Sequence, residues 1–232
     1  METRPSFPEL ISKTVARVRA RGPREVFDTW RAMVRELLAS DEKLIMLYRD
    51  LKTAGPAPAA PSGTTFREAG PDDAMQYARD VGTDSMKTFS ARLSSRTKCF
   101  FVMDDTTVLH ASWVTTAAAW TREVQRYFCP PAGDAYIYES FTRSDARGRG
   151  IFPFALESIC RLLAAGGIRR VWIGVEDGNE PSRRAITKAG FEPGFAIMYR
   201  RRLGRLTVGA PEGPGARPDH GFLSTSPECR PA

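Results

Sequence analysis

Residues 136–163 read YIYESFTRSDARGRGIFPFALESICRLL. The first seven, Tyr136 to Thr142, are aromatic and β-rich, which suits a strand. Farther on, Phe152, Leu156, Ile159 and Leu163 recur at helical spacing on one face, and Gly166-Gly167 supplies a stop. Between strand and helix stands Arg147-Gly148-Arg149-Gly150. A strand that ends in a glycine-rich turn and feeds a helix aims backbone amides outward at the positive end of the helix dipole. The amides of Gly148 to Phe152 are therefore expected to suit a pyrophosphate, although the same pattern also serves as a plain turn. Pro153 fits the first helical turn, where a missing amide costs little. No Gly-Lys-Ser/Thr follows and the third glycine of G-x-G-x-x-G is missing, which argues against nucleoside triphosphate and nicotinamide sites.

Downstream come a strand over Arg170 to Val175, then Asn179 and Ser182, a short helix over Pro181 to Ala189, Gly190-Phe191, and a strand over Phe195 to Arg202. This order and spacing resemble the GNAT superfamily of acyl-CoA N-acyltransferases. The family's motif A, Arg/Gln-x-x-Gly-x-Gly/Ala, is similar to Arg147-Gly148-Arg149-Gly150-Ile151-Phe152 over its first four positions, and its motif B resembles Asn179-Glu180-Pro181-Ser182 followed by Gly190-Phe191. The resemblance covers residues 64–203 and is most specific over 136–203. It implies an α/β fold with a mixed, strongly twisted sheet flanked by helices, whose central strands splay apart around acetyl-CoA or another acyl-CoA.

On this mapping the pantetheine arm pairs with the strand ending near Thr142, and the pyrophosphate sits on the turn from Arg147 to Phe152. Asn179 and Ser182 flank the thioester. The expected cofactor-binding set is thus Thr142, Arg147, Gly148, Arg149, Gly150, Ile151, Phe152, Asn179 and Ser182. The resemblance further implies direct transfer to a primary amine in a ternary complex, with no acyl-enzyme and no metal. Two positions depart from the family pattern. Phe152 stands where Gly or Ala is usual, and Ile186 occupies the place of a tyrosine that acts as general acid, so that acid is absent or comes from elsewhere.

Attack on a thioester needs a neutral amine, so a proton acceptor near the reacting strand is sought. Glu139 is the candidate base; the alternative is an exposed strand residue paired with a neighbouring arginine. Tyr138 is the candidate donor to the thiolate, with packing as its alternative. His110, next to Trp113, reads as a hydrogen-bonded structural histidine before it reads as a base. Trp113 and Trp120 suit either an acceptor pocket or the core.

The chain has 232 residues, 42% hydrophobic, with a formal charge of +7. Residues 141–205 alone carry 13 basic and 6 acidic side chains, an excess that suits the phosphates of coenzyme A. No run of 18 apolar residues exists to cross a membrane, and no secretory signal opens the chain, so a cytoplasmic protein is expected. Four cysteines without a C-x-x-C and only two histidines argue against a zinc site or disulfide framework. Residues 1–52 read as an extension with helices over 8–20 and 24–39 and a strand over Leu44 to Leu51. Residues 53–63 read as a Pro-rich linker, 64–205 as the transferase-like domain, and 206–232 as a disordered tail rich in Gly and Pro.

A small-molecule amine is favoured over a protein as acceptor, and neither a membrane nor a nucleic acid is expected as partner. The alternatives are a catalytically degenerate acyl-CoA-binding module and, behind it, a basic nucleic-acid-binding protein. Arg200-Arg201-Arg202 is read as a solvated sheet edge.

Overall fold

The structure, a computed structural model, describes residues 39–51, 58–203, 205–215 and 223–227. The helices expected over 8–20 and 24–39 lie outside these residues, except that Ala39 opens a strand.

Two strands with β-rich composition, β3 (Thr97–Asp104) and β4 (Thr107–Thr115), close on each other through Asp105-Thr106, with Asp105 at φ 28°. The two strands thus form a tight hairpin that closes at the pair Asp104–Thr107. Before it come β2 (Thr65–Ala69) and two short helices, α1 (Ala74–Asp80) and α2 (Met86–Arg92). A small hairpin, β5 (Ala119–Thr121) with β6 (Arg126–Phe128), leads to β7 (Asp134–Thr142). The chain then crosses over through α3 (Ile151–Ala165) into β8 (Arg170–Glu176), parallel to β7, and continues through α4 (Glu180–Lys188) into β9 (Glu192–Arg202).

The main sheet has eight strands in the order β10-β9-β1-β8-β7-β4-β3-β2; β1 is Ala39–Asp50 and β10 is Arg205–Glu212. A second sheet pairs β6 with β5 and with β11 (Leu223–Ser224). Side chains alternate across the main sheet. Ala135, Ile137, Val171 and Ile173 meet Leu156 and Ile159 of α3 on one face. On the opposite face, Phe101, Ala111 and Trp113 pack with Tyr77 of α1 and Phe89 of α2, while Tyr136, Trp172 and Phe195 pack with Phe128 of the small sheet. Among the described residues no helix is long and apolar enough to cross a membrane.

Three expectations change. The strand read within an N-terminal extension is β1, and it lies inside the sheet, antiparallel to both β8 and β9. Its run Leu44 to Leu51 is apolar because both faces are covered. The tail expected to be disordered from Leu206 begins instead with β10, whose alternating Leu206 and Val208 pack against the same cluster as Tyr199. Consequently Arg200 to Arg202 do not guard an edge: β10 and β1 flank them, and Arg200 and Arg202 both bind Asp41 of β1.

Leu44, Met46 and Leu47 of β1 are almost wholly buried. At about 1.5–3 kcal/mol each, their burial matches the lower range of a whole domain's stability, about 5 kcal/mol. A chain starting at Thr64 would leave β8 and β9 with bare edges. We expect it to lose the cooperative thermal transition that the full chain shows by circular dichroism; a folded product with an unchanged midpoint would show β1 to be dispensable.

Candidate functional site

The parallel ladder of β7 and β8 runs from Asp134–Arg170 to Ile137–Ile173 and stops there. Beyond it β8 stays paired with β1, through Glu176, while β7 stays paired with β4, through Thr142. Among the described residues, Tyr138 to Thr142 thus have no strand neighbour on the β8 side. At the start of the opening β7 bulges: Glu139 and Ser140 together face Ser112, between the pairs Trp113–Tyr138 and Ala111–Phe141, and Glu139 takes φ 48°. Gly174 lets the Tyr136 side chain lie against β8, because a Cβ there would stand 3.2 Å from the Tyr136 hydroxyl oxygen and 3.1 Å from Met46 Sδ. Since β7 and β8 are parallel, the helices that follow them both begin at the mouth of this opening.

The turn before α3 is built as the sequence predicts. Gly148 and Gly150 both take φ 76°, a region that favours glycine, and no side chain caps the helix. Its first amides therefore have no acceptor within the helix. A Cβ on either glycine would point into open space, so the backbone is bare where an anion would lie. Ile151 is buried and offers only its amide, and Arg149 and Gly150 border a groove of about 360 Å³ with Pro58, Pro61, Glu157 and Lys188. Phe152 does not crowd the turn: its ring stacks on His110 at 5.3 Å. Asn179 caps α4 by accepting from the Ser182 amide at 3.3 Å, which accounts for both residues structurally. Ile186 is buried in the core beneath α4.

On the face opposite α3, Glu139 binds Arg92 at 2.6 Å, as the alternative reading has it. Arg92 also binds Asp84 and lies 4.0 Å over the Trp113 ring. Burial opposes its charge, yet Glu139, Tyr138 and Asp84 outweigh that and hold its pKa above the ordinary value. Tyr138 stacks on Tyr136 at 5.7 Å, and burial raises its hydroxyl above the usual tyrosine range despite Arg92. Trp113 is fully buried core, whereas Trp120 is exposed on the small hairpin against Tyr127. Glu123 of that hairpin was not singled out from sequence. Burial pushes its pKa up, and Glu176 and Glu139 add to the shift. A lone glutamate in a short polar loop carries no sequence signal; only the fold brings it into reach of β7 and β8.

On the α3 face His110, fully buried, has Nδ1 2.7 Å from Thr142 Oγ1 and Nε2 2.7 Å from Ser112 Oγ, which lies 2.7 Å from Ser140 Oγ. Burial pushes the imidazole down to about 3, so it is neutral at physiological pH. Among the described residues no group of three His, Cys, Asp or Glu is placed to hold a metal ion.

Residues 69–191 match the model of the acetyltransferase (GNAT) family. A GCN5-related N-acetyltransferase from Sphaerobacter thermophilus superposes with a TM-score of 0.55 at 16% identity, over 76% of this chain and 56% of that one. A GCN5-related N-acetyltransferase from Kribbella flavida gives 0.50 at 14% identity, over 79% of this chain and 64% of that one. The chain thus spans little more than half the length of the Sphaerobacter protein. No curated protein matches the sequence.

Two outcomes follow from this geometry. Gly150→Glu, which places a carboxylate over the bare amides, should weaken coenzyme A binding by calorimetry at least about tenfold, with the thermal midpoint as control for the added φ strain. Unchanged affinity would remove the turn from the anion site. The second outcome concerns His110. Its folded pKa lies below the unfolded value of about 6.5, so the unfolded chain binds the extra proton. Stability is then complete above about pH 6.5 and is lost as pH falls toward 3. His110→Gln should be less stable at neutral pH but show a shallower fall in urea midpoint across this window.

Proposed function

The chain belongs to the acetyltransferase (GNAT) family, and from that premise we propose that it transfers an acyl group, acetyl in the simplest case, from acyl-CoA to the primary amine of a small molecule by direct attack in a ternary complex. The observation that carries this reading is the parting of β7 from β8 beside an uncapped helix start. The unpaired edge from Tyr138 to Thr142 suits the amides of a pantetheine arm. The amides of Gly148 to Phe152, with Arg147 and Arg149, suit its pyrophosphate. The groove bordered by Arg149 and Lys188 suits the remaining phosphorylated nucleoside. Bound acyl-CoA supplies the activated carbonyl.

The acceptor enters from the opposite face, between the α1–α2 pair and the small sheet, where Tyr138 packs against both clusters. Glu123, Glu139 and Glu176 give this side a negative field that attracts an ammonium group. The charge of Glu139 is already engaged by Arg92, so we assign it to orienting the acceptor. Glu123 has the better credentials as base, because a carboxylate whose pKa is raised by burial takes a proton from an amine at a lower cost. Tyr138 stays protonated and hydrogen-bonds the acceptor from the same side.

Thiol release from acetyl-CoA, followed with a diamine, an amino acid, an aminosugar and a lysine-containing peptide, tests the assignment. Turnover with one of the small amines is expected. Coenzyme A binding without turnover would leave an acyl-CoA-binding module, and turnover with the peptide alone would move the acceptor to proteins. A base must be deprotonated to act, so kcat/KM should fall as pH drops through the raised Glu123 value, at higher pH than an ordinary carboxylate gives. Glu123→Gln should lower kcat by about 10²-fold and abolish that limb.

A further inference from the structure

With Ile186 buried in the core, the position expected to protonate the leaving thiolate holds no proton donor. We propose that Ser140, Ser112, His110 and Thr142 form a proton relay that delivers a proton to the leaving sulfur of acyl-CoA, with Ser140 as the donor. The proposal rests on the acyl-CoA reading above.

Geometry carries it. The four groups form an unbroken chain of three 2.7 Å contacts, Thr142 Oγ1 to His110 Nδ1, His110 Nε2 to Ser112 Oγ, and Ser112 Oγ to Ser140 Oγ. Its middle is sealed: His110 and Ser112 have no exposed surface, and the Phe152 ring lies along the imidazole. Both ends reach outward. Ser140 is exposed three residues past the last β7–β8 pair, and Thr142, half-buried, lies two residues farther toward the glycine turn. The chain sits on the side of the sheet that carries α3 and α4, since Phe152 belongs to α3 and α3 packs with α4. Ser140 thus opens beside the unpaired edge on the face where the position of Ile186 lies.

A neutral imidazole has one N–H and one lone pair, so the chain has two polarities. With the proton on Nε2, Thr142 donates to Nδ1, Nε2 donates to Ser112, Ser112 donates to Ser140, and the Ser140 hydroxyl proton is left to point outward. With the proton on Nδ1 the order reverses. A site that cannot hold an imidazolium can still pass a proton by switching tautomer.

In the reaction the amine nitrogen, having given one proton to the base, attacks the thioester carbon. The C–N bond forms, the C–S bond breaks, and its electron pair goes to sulfur. Sulfur takes the Ser140 proton, Ser140 takes one from Ser112, Ser112 takes one from Nε2, and Nδ1 takes the Thr142 proton. Thr142 recovers its proton from solvent, where the second amine proton is also released. The imidazole ends neutral in its other tautomer, and return of the proton resets it.

Only Ser140 touches the sulfur; Ser112, His110 and Thr142 act through it and are positioning residues. The test uses binding alone. Calorimetry at an alkaline pH chosen so that the thiol of coenzyme A is itself ionised compares coenzyme A with its desulfo analogue. A hydroxyl aimed at the thiolate should favour coenzyme A by about tenfold in the wild type and in Ser140→Thr, and not in Ser140→Ala. Ser112→Ala keeps the Ser140 hydroxyl but cuts the chain, and it should lose the preference while binding desulfo-coenzyme A as before.

His110 and His220 are the only histidines, so in a His220→Gln background the imidazole nitrogen resonances report His110 alone. Coenzyme A, and not the desulfo analogue, should settle the ring as the Nε2–H tautomer. Loss of preference in Ser140→Ala but not in Ser112→Ala, with an unmoved tautomer, would show Ser140 acting alone and overturn the relay. Equal affinities in the wild type would overturn it altogether. Failure of both ligands to bind would instead take down the acyl-CoA reading, and the relay with it.

Discussion

The ladder between β7 and β8 is four residues long, and most of the site follows from where it ends. A strand edge inside a domain cannot be left without hydrogen bonds, so the amides and carbonyls beyond Ile137 must face water or a ligand. The gap persists because each strand is held on its outer side. β4 keeps β7 through Thr142, and β1 keeps β8 through Glu176. Closing the gap would mean breaking one of those ladders. Sheet twist then separates the two strands further with each residue, and the bulge at Glu139–Ser140 adds a local bend on the β7 side.

Charge divides along the same opening. At its mouth stand the α3 amides with Arg147 and Arg149, and on the face opposite α3 stands Glu139 of the bulge, whose charge together with that of Glu176 acts on Glu123. Several arginines of residues 141–205 are paired: Arg143 with Asp145, Arg183 with Asp177 and Arg184 with Glu180 inside the segment, and Arg200 and Arg202 with Asp41 of β1 outside it. Such exposed pairs contribute little to stability. Arg92 is the exception on the acidic side, stacked on Trp113 and tying Glu139 to α2.

Residues whose neighbours in sequence are also their neighbours in space were legible. The β7–turn–α3 unit and the stop of α3 at Gly166-Gly167 follow from local pattern. What failed was long-range. Nothing in Leu44 to Leu51 says that the strand will be inserted between β8 and β9, because an apolar run reports burial and not partners. Residues 206–212 read as tail because Gly209 and Pro211 look like breakers. Gly209 instead packs close to the Met198 carbonyl, and Pro211 lies past the register shift in β10, where a strand tolerates a missing amide. Glu123 and the Ser140–Ser112 contact join segments that are far apart in sequence, so only the fold assembles them.

Phe152 shows how a departure from a motif can be read once the fold is known. The small residue usual there would leave the inner side of the first α3 turn open over β4. In this chain the ring fills that space and lies 5.3 Å from the His110 ring, at 29° between planes. Ser112 and His110 are polar groups in an interior that would charge heavily for any unsatisfied donor. Among the described residues the side chains of Ser112 and His110 bond to each other, to Ser140 and to Thr142, and water entering beside the imidazole would compete for those contacts. A large apolar ring at 152 excludes it. The departure from the motif at Phe152 thus goes together with a buried histidine network beside the unpaired edge of β7, and the chain carries an apolar residue at 186 and a hydroxyl at 140. These three positions belong to different elements, β7, α3 and α4, that flank the opening between β7 and β8.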